Sequence, residues 1–318
     1  MNVLFIDTVH PVINERLEAA NYQCIDATDK TFEECCRLAG EAEGIVIRSR
    51  FRMDEKLLQH APHLRFIARS GAGMENIDEA YCKARNIFLI NAPEGNRNAV
   101  AEHALGMLLS LFNRFCKADH EVRNGIWDRE GNRGIELDGK TVGIIGYGNN
   151  GSAFARKLRG FDISLLAYDK YITGYGDDFV KESTLQEIFN KADVISFHIP
   201  QNEETMYMVN DDFINNVQKP FYLLNLSRGK IVETAALIKG IETGKIRGAG
   251  LDVLEYEKSS FENFTASELP EAFNQLLKSD KVLLSPHVGG WTQESYFKLS
   301  NIMADKILSQ FGYIDRQQ

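Results

Sequence analysis

Three side chains suited to proton transfer and carboxylate binding follow strand-like apolar runs in the last third of the chain. They are Arg228, Glu257 and His287. In α/β proteins the binding crevice lies outside the carboxyl ends of parallel strands, where these residues would fall. An arginine there can hold a carboxylate through paired hydrogen bonds, a histidine can exchange a proton near neutral pH, and a neighbouring carboxylate can fix the imidazole tautomer and stabilise the imidazolium. The set predicts acid–base chemistry on a carboxylate-bearing molecule.

Each of these residues also has a structural interpretation: a surface arginine, a strand-end carboxylate or a histidine satisfied by hydrogen bonds. Taken singly, the structural interpretation is favoured. Of the seven histidines, however, only His198 and His287 end apolar strands, whereas His103 is expected to be a packed, hydrogen-bonded helix residue. Pro286 precedes His287 and two glycines follow it soon after, which would orient the imidazole. The joint occurrence of the three residues after successive strands favours a site.

A glycine-rich turn links a strand to a helix in the middle of the chain. Gly146, Gly148 and Gly151, with Asn149 and Asn150 among them, fit the pattern G-x-G-x-x-G. The first glycine permits the tight turn, the second lets backbone amides approach a pyrophosphate, and the third lets helix and strand pack closely. Because an apolar run precedes the turn and a helix-like stretch follows it, the pattern predicts a dinucleotide site.

The next apolar run ends in an acidic residue, Asp169, about 20 residues beyond the glycines, where a carboxylate can accept hydrogen bonds from an adenosine ribose. Its charge would repel a 2′-phosphate, which favours NAD over NADP, although the adjacent Lys170 keeps NADP open. The alternative is a plain strand-to-helix turn with Asp169 as a solvated strand end.

These residues need a sheet to position them, and the hydropathy pattern predicts one. Short β-rich runs alternate with helix-like stretches, at 3–6, 45–47, 66–68, 88–90, 142–145, 164–168, 194–199, 221–226, 250–253 and 282–284. Such alternation is typical of parallel strands covered by helices on both faces, so a doubly wound α/β architecture is predicted. The clearest helix is predicted over 99–118 and the last over 292–311, with a loop or arm over 123–139.

Composition excludes several classes of protein. The 318 residues suit about two domains. With 36 Lys+Arg against 45 Asp+Glu, the net charge of −9 offers no attraction for nucleic acid or an anionic membrane. No apolar run approaches the roughly 18 residues of a membrane-spanning helix, and Asp7 interrupts the first run too early for a signal peptide. A protein that is neither exported nor membrane-embedded is expected.

Two further kinds of site are not expected. The five cysteines show no C-x-x-C spacing, so neither a disulfide framework nor a zinc site is predicted, and a reducing cytoplasm is the expected setting. No metal is predicted. The chain also has no G-x-S-x-G elbow, which argues against an α/β hydrolase.

Motifs along nearly the whole chain, in one order, make it similar to the D-isomer-specific 2-hydroxyacid dehydrogenases. They are the glycine turn and the segments at 69–73, 76–78, 91–93, 99–103, 225–229, 251–253 and 285–290. The resemblance implies an NAD-dependent enzyme that transfers a hydride between nicotinamide and C2 of a small anionic 2-hydroxy or 2-oxo acid. Within the family, the chain is closest in style to the phosphoglycerate dehydrogenase branch without a regulatory domain.

The resemblance assigns roles to individual residues. Arg228 would bind the substrate carboxylate, His287 would exchange the proton, and Glu257 would assist His287. Besides the glycine turn and Asp169, the implied cofactor contacts are Leu226, Ser227, Asp252, Gly289 and Gly290. The implied substrate contacts are the backbone amides of Ser70, Gly71, Ala72 and Gly73 and the side chains of Arg48, Arg50 and Asn96. For the two arginines, phosphate binding and a solvated strand end both stay open.

The resemblance also implies a split chain. Residues 1–95 and 291–318 would form a substrate-binding domain and residues 96–290 an NAD-binding Rossmann domain, with the substrate in the cleft between them. Homodimerisation through the cofactor domain is usual for the family. Because the chain ends at Gln318, control through a C-terminal regulatory domain is not expected.

Some positions depart from the family pattern. Glu257 is followed by Lys258 instead of the common proline, which makes Glu255 a rival for its role, and the loop 259–279 is longer than usual. Trp291 stands where smaller residues are common; it either narrows the cleft mouth or packs against the last helix. A rival function is an NAD(H)-binding corepressor of the same fold, whereas Glu257 argues against the formate dehydrogenases, where glutamine is common at that position.

Overall fold

The structure of the protein, a computed structural model, describes residues 1–257 and 270–312, which form two α/β units. Unit 1 contains residues 1–96 and 291–312, and unit 2 contains residues 97–257 and 270–290. Among the described residues, Asn96 falls in unit 1 instead of the domain predicted over 96–290, and the assignment of substrate and cofactor binding to the two units stays a prediction. Each unit has its own parallel sheet, so the prediction of two parallel-sheet α/β domains is confirmed.

The strands and helices alternate along the chain. The strands are β1 (Asn2–Phe5), β2 (Gln23–Asp26), β3 (Gly44–Ile47), β4 (Phe66–Arg69), β5 (Phe88–Asn91), β6 (Thr141–Ile145), β7 (Ser164–Tyr168), β8 (Val180–Glu182), β9 (Val194–Phe197), β10 (Phe221–Asn225), β11 (Ile246–Leu251) and β12 (Val282–Leu284). The helices are α1 (Val12–Ala19), α2 (Phe32–Leu38), α3 (Glu55–Leu58), α4 (Glu79–Ala84), α5 (Pro93–Phe112), α6 (Phe115–Arg123), α7 (Asn149–Leu158), α8 (Leu185–Lys191), α9 (Asp211–Asn216), α10 (Thr234–Glu242), α11 (Glu271–Lys278) and α12 (Gln293–Phe311).

Unit 1 has a five-stranded parallel sheet in the order β2-β1-β3-β4-β5. Successive strand residues point to opposite faces, and both faces are covered. In β1, Leu4 belongs to an apolar cluster with α2, α3 and α4, whereas Val3 and Phe5 belong to a second cluster with α1 and α12. Burial on both faces explains why these strands are continuous apolar runs.

Unit 2 has a seven-stranded parallel sheet in the order β12-β11-β10-β9-β6-β7-β8. Strand pairing aligns one residue near the carboxyl end of each of six strands; we call this the carboxyl row, and it consists of Tyr168, Ile145, Phe197, Asn225, Leu251 and Leu284. Since β7 and β9 lie on opposite sides of β6, the sheet has its topological switch point at the end of β6. Ligands of doubly wound sheets bind at such a point.

The prediction of a single helix over 99–118 is wrong in its extent. Helix α5 begins six residues earlier, at Pro93, where the fixed φ of proline suits a first helical turn. The chain then breaks at Arg114, whose φ of +52° is left-handed, and α6 follows with no buried residue. Apolar spacing continues through the break, which is why the sequence reads as one helix.

The predicted long loop 259–279 is only partly covered by the structure. Residues 258–269 lie outside the described residues, and the remainder contains α11. No helix in the described chain is long and apolar enough to cross a membrane. Within residues 1–257 and 270–312, no group of three His, Cys, Asp or Glu side chains is placed to hold a metal ion.

Candidate active site

Several residues predicted to act in proton transfer, carboxylate binding or cofactor binding follow the carboxyl row of unit 2. Arg228 and His287 each lie three residues beyond the row, after β10 and β12, which flank β11. Strands lie about 4.8 Å apart, so these two segments leave the sheet about 10 Å from one another. The glycine turn, Asp169 and Asp252 follow β6, β7 and β11 at the same edge.

His287 is held in an unusual backbone conformation and paired with an acid. Its φ of +56° is left-handed, a region that costs most residues about 1–2 kcal/mol. Two hydrogen bonds hold it there, because its amide donates to the carbonyls of Asp252 at 2.8 Å and Ser285 at 3.0 Å. Its Nδ1 lies 3.0 Å from Oε1 of Glu257. Backbone strain of this kind, fixed by surrounding bonds, is typical of functional positions.

The two candidate glutamates have different partners. Glu257 contacts the imidazole of His287, and both side chains are about one-fifth to one-quarter exposed. The carboxylate of Glu255 instead accepts a hydrogen bond of 2.8 Å from the amide of Thr234, the first residue of α10. A carboxylate at that position stabilises the helix N-terminus. The geometry therefore favours Glu257 over Glu255 as the partner of His287.

Asp252 binds the turn that carries His287. It is 2% exposed, and its Oδ1 accepts hydrogen bonds from the Ser285 hydroxyl at 2.6 Å and the Val288 amide at 2.9 Å. Its Oδ2 accepts from the Gly289 amide at 2.8 Å, where a Cβ would come within 2.8 Å of the same oxygen. Asp252 thus holds the turn on both sides of His287, while the cofactor contact implied by the resemblance stays a prediction.

His103 joins this network, which sequence reasoning did not anticipate. Its Nε2 lies 2.9 Å from the hydroxyl oxygen of Ser285. Because that hydroxyl donates to the Asp252 carboxylate, it must accept from His103, so His103 carries a proton on Nε2. The expectation of a hydrogen-bonded helix residue agrees with this contact. Neither local spacing nor composition indicates that its partner lies 182 residues away.

The chain around Arg228 is tightly packed. A Cβ on Gly229 would lie 1.9 Å from the carbonyl oxygen of Leu254, so only glycine permits this approach of the β10 and β11 connections. The Asn225 side chain donates to the carbonyl of Arg228 at 2.9 Å. The hydroxyl of Ser227 donates to the carbonyl of Phe197 at 2.6 Å and is buried with its neighbour Leu226. These contacts fix the backbone from which Arg228 projects.

The glycine turn has the geometry of a phosphate-binding turn. Gly146 has a φ of +92°, and a Cβ on Gly151 would lie 2.0 Å from the carbonyl oxygen of Gly146. Helix α7 begins directly after Gly148, which offers no side-chain cap. Within the described residues, the amides of Asn149, Asn150 and Gly151 have no acceptor, and the buried Oδ1 of Asn150 also lacks a partner. An uncapped helix N-terminus with unused amides fits a pyrophosphate.

Asp169 keeps part of its hydrogen-bonding capacity. Its carboxylate accepts from the amides of Tyr147 at 2.7 Å, Tyr171 at 2.9 Å and Ile172 at 3.0 Å. A carboxylate has about four acceptor positions, which leaves one for a ribose hydroxyl. Lys170, the residue that kept NADP open, is paired with Glu204 at 2.6 Å. The residues present at the glycine turn and Asp169 fit a dinucleotide.

Unit 1 carries the predicted substrate residues, and the side chain of one of them, Arg50, is bound within the chain. Asp7 Oδ2 accepts hydrogen bonds from the amides of Arg48, Ser49 and Arg50. The guanidinium of Arg50 donates to four backbone carbonyls, those of Ile6, Ala27, Thr28 and Lys30, at 2.6–3.2 Å. Arg50 therefore braces the loops at the end of the sheet, a role that neither interpretation of the sequence included.

The predicted cradle of amides at 70–73 is only half available. The amides of Ser70 and Gly71 donate to the carbonyls of Ile47 at 2.8 Å and Arg69 at 2.9 Å. Those of Ala72 and Gly73 have no acceptor among the described residues. The Oδ1 of Asn96 is buried without a partner there as well. Ala72, Gly73 and Asn96 thus keep capacity for a ligand that Ser70 and Gly71 use internally.

The fold and this edge define a dinucleotide-binding α/β protein with a histidine–carboxylate pair. Residues 105–289 match the family described as D-isomer specific 2-hydroxyacid dehydrogenase, NAD binding domain. The chain belongs to the D-isomer specific 2-hydroxyacid dehydrogenase family. The recognition of the family and of NAD as its cofactor from the sequence is thereby confirmed.

Similar proteins include both dehydrogenases and reductases. A D-3-phosphoglycerate dehydrogenase of Archaeoglobus fulgidus is 33% identical over 304 residues, 94% of this chain and 56% of that protein. A hydroxypyruvate reductase of Thermotoga maritima is 30% identical over 296 residues, 92% of this chain and 93% of that protein. The D-lactate dehydrogenase of Aquifex aeolicus, solved with NAD and lactic acid, is 27% identical, with a TM-score of 0.81 over 98% of this chain and 96% of that one. The chain spans about half the length of the phosphoglycerate dehydrogenases it matches.

Proposed function

We propose that the protein is an NAD-linked dehydrogenase that interconverts a small 2-hydroxy acid and the corresponding 2-oxo acid. The observation that carries this proposal is the contact of 3.0 Å between His287 Nδ1 and Glu257 Oε1, at the same sheet edge as the glycine turn. An acid–base pair and a dinucleotide turn on one edge suit an alcohol–carbonyl interconversion.

The proton is handled by His287. Glu257 holds the proton on Nδ1, which assigns exchange with the substrate oxygen to Nε2. During reduction Nε2 gives its proton to the carbonyl oxygen, and during oxidation it removes the hydroxyl proton. Bound NAD supplies the hydride chemistry at its nicotinamide ring. Arg228 holds the substrate carboxylate and stabilises the negative charge that develops on the adjacent oxygen.

The cofactor would be held by unit 2. The amides of Asn149 and Asn150 would bind the pyrophosphate, and Asp169 would accept from the ribose. Leu226, Ser227 and Gly290 stay predicted cofactor contacts. The expected substrate residues lie on unit 1, with Arg48, Asn96 and the amides of Ala72 and Gly73 as the members whose capacity is not spent within the chain.

We also propose a homodimer and a cytoplasmic location. Helix α6 has no buried residue, and Phe115, Val122, Ile126 and Trp127 are 51–78% exposed, an apolar surface that a second copy would cover. Sedimentation of a Trp127→Asp variant checks this, because the charge should convert dimer to monomer. All five cysteines are unpaired, which suits a reducing compartment.

A substrate panel tests the proposed activity. NADH oxidation is measured with phosphohydroxypyruvate, hydroxypyruvate, glyoxylate and pyruvate, and the corepressor alternative predicts NADH binding without turnover of any of them. The proposal expects turnover of at least one that is lost in the His287→Ala variant. Formate oxidation faster than reduction of every 2-oxo acid would instead assign the protein to formate chemistry.

A further inference from the structure

Arg48 stands at the end of β3 with its backbone held from both sides. Its amide donates to Asp7 Oδ2 at 2.6 Å. Its carbonyl accepts from the Arg69 guanidinium at 3.2 Å and from the Asn76 side chain at 3.1 Å. The side chain therefore projects from a rigid base, which lowers the entropy lost when it binds a ligand.

The guanidinium of Arg48 stacks on an aromatic ring instead of pairing with an acid. Its central carbon lies 4.0 Å from the ring centroid of Trp291. Among the described residues no side chain or carbonyl accepts a hydrogen bond from it, in contrast to Arg50. Burial lowers the pKa of Arg48, whereas the nearby Asp7 and Tyr296 raise it. A partly desolvated cation with unused donors is suited to bind an anion.

Trp291 is itself supported. Its ring lies 6.3 Å from that of Tyr296 in α12, and Tyr296 packs edge-to-face on His10 at 5.4 Å. One of the two alternatives for Trp291, packing against the last helix, is thus present, yet 55% of the residue stays exposed. A guanidinium held over a ring leaves N–H groups at the periphery of the contact, where a planar or tetrahedral oxyanion can bind.

We propose that Trp291 is a positioning residue that fixes the Arg48 guanidinium as the receptor for a second anionic group on the substrate, either a phosphate or a second carboxylate. The charge of Asp7 acts on Arg48 from nearby, but its Oδ2 accepts from three backbone amides and no hydrogen bond joins the two side chains among the described residues. The use of this clamp for substrate rests on the proposed function, but anion binding by the clamp does not.

Anion binding is tested without catalysis. The chain has two tryptophans, so Trp127→Phe leaves Trp291 as the single fluorescent reporter. The variant is titrated with inorganic phosphate and, separately, with malonate, against sodium chloride at equal ionic strength. A saturable change in Trp291 emission that disappears when Arg48→Met is added supports the clamp, and the anion that binds more tightly identifies its chemistry. No change with either anion, or the same change without Arg48, overturns the proposal.

Kinetics then separates positioning from general damage. Phosphohydroxypyruvate and hydroxypyruvate differ by one phosphoryl group, as 2-oxoglutarate and 2-oxobutyrate differ by one carboxylate. Trp291→Leu should raise KM about tenfold for the member of one pair that carries the second anionic group, leave its kcat within about twofold and leave the KM of the other member unchanged. Trp291→Phe, which keeps an aromatic face, should keep KM close to the wild-type value. Phe88→Leu, an exposed aromatic at the opposite end of the same sheet, is the matched control.

A double-variant cycle completes the test. Arg48→Lys keeps the charge but not the flat donor edge, so adding Trp291→Leu to it should increase KM by less than about twofold more. Equal KM increases for both members of a pair, or fully additive losses in the double variant, would overturn the positioning role. If the panel shows no redox activity at all, the proposed function fails and the fluorescence titration still decides the clamp.

Discussion

The carboxyl edges of the two sheets carry similar residues but use them differently. In unit 2, Asp169 keeps one acceptor position and the first three amides of α7 have no acceptor in the described chain. In unit 1, Asp7 likewise accepts from three backbone amides, but the four hydrogen bonds of the Arg50 guanidinium are all with carbonyls of the chain itself. An arginine at a strand end therefore indicates position and not function.

The carboxyl edges of the two sheets differ in unused hydrogen-bonding capacity and in backbone strain. Gly146 and His287 in unit 2 both have positive φ, and each is fixed by bonds or close contacts to a neighbouring strand connection. In unit 1 the side chain with comparable unused donors is Arg48, which lies over an aromatic ring, and the amides of Ala72 and Gly73 and the Oδ1 of Asn96 also lack partners in the described chain. The contrast teaches that a candidate site is better defined by what its groups leave unsatisfied than by their residue types.

The largest effect is expected at His287. His287→Ala should lower kcat about 1,000-fold, because no other group replaces its proton transfer, while NADH affinity stays within about twofold. His287→Asn is the matched control, since asparagine tolerates the left-handed backbone but cannot act as an acid or base. Stopped-flow turnover and NADH fluorescence titration measure the two quantities. Near-normal turnover of either variant would remove His287 from the mechanism.

Arg50 and Arg48 provide the direct test of the contrast within unit 1. Arg50→Met should destabilise the protein by about 2 kcal/mol, because backbone carbonyls lose a charged donor, whereas Arg48→Met should cost less than about 1 kcal/mol. Urea unfolding followed by circular dichroism measures both. The KM for anionic substrates should follow the opposite order, with Arg48→Met the more damaging. Equal losses of stability in the Arg50→Met and Arg48→Met variants would contradict the structural role of Arg50.

The two sheets were predictable where their strands are apolar runs, and the two missed strands are those richer in polar residues. β2 is polar at both ends with its first and last residues exposed, and β8 is a three-residue edge strand. The break between α5 and α6 was missed because it depends on one residue, Arg114, in a left-handed conformation. Apolar periodicity carries no information on a single backbone angle.

The candidate site was predictable where its residues lie next to their own strands and not where they depend on distant partners. Arg228, His287 and the glycines are local features of strand ends. The bond between His103 and Ser285 and the stack of Arg48 on Trp291 join residues far apart in the chain. Arg50 shows the converse: its type and place suggest a phosphate, but tertiary contacts with the loop at 27–30 have already used its donors.

A third prediction concerns His198, which directly follows β9 beside the glycine turn and has no role in the proposed mechanism, although its buried Nδ1 has no partner among the described residues. Its Nε2 lies 2.8 Å from the Ser196 hydroxyl, and burial lowers its pKa to about 4 from 6.5. The unfolded chain binds this proton below about pH 6.5 and the folded chain only near pH 4. Stability from His198 is therefore complete above pH 6.5 and falls as the pH decreases, by about 2 kcal/mol between pH 7 and pH 5.

Urea unfolding at pH 7 and pH 5 measures this loss. His198→Phe should flatten the difference between the two pH values, whereas His120→Gln, at an exposed histidine in α6, should leave it unchanged. An identical acid dependence in the wild type and His198→Phe would assign the loss to other groups.

The smallest effect is expected at Asp169, where the comparison depends on a single remaining acceptor position. Asp169→Ala should reduce the preference for NADH over NADPH about tenfold, because both the ribose acceptor and the charge that repels a 2′-phosphate are lost. Asp169→Asn keeps an acceptor for the Tyr147 amide and removes only the charge, so it separates repulsion from local structure. The ratio of kcat/KM for the two cofactors is the measurement. If Asp169→Asn alone gives the full loss, the charge sets the selectivity; if the ratio is unchanged in both variants, Asp169 serves the turn and not the cofactor.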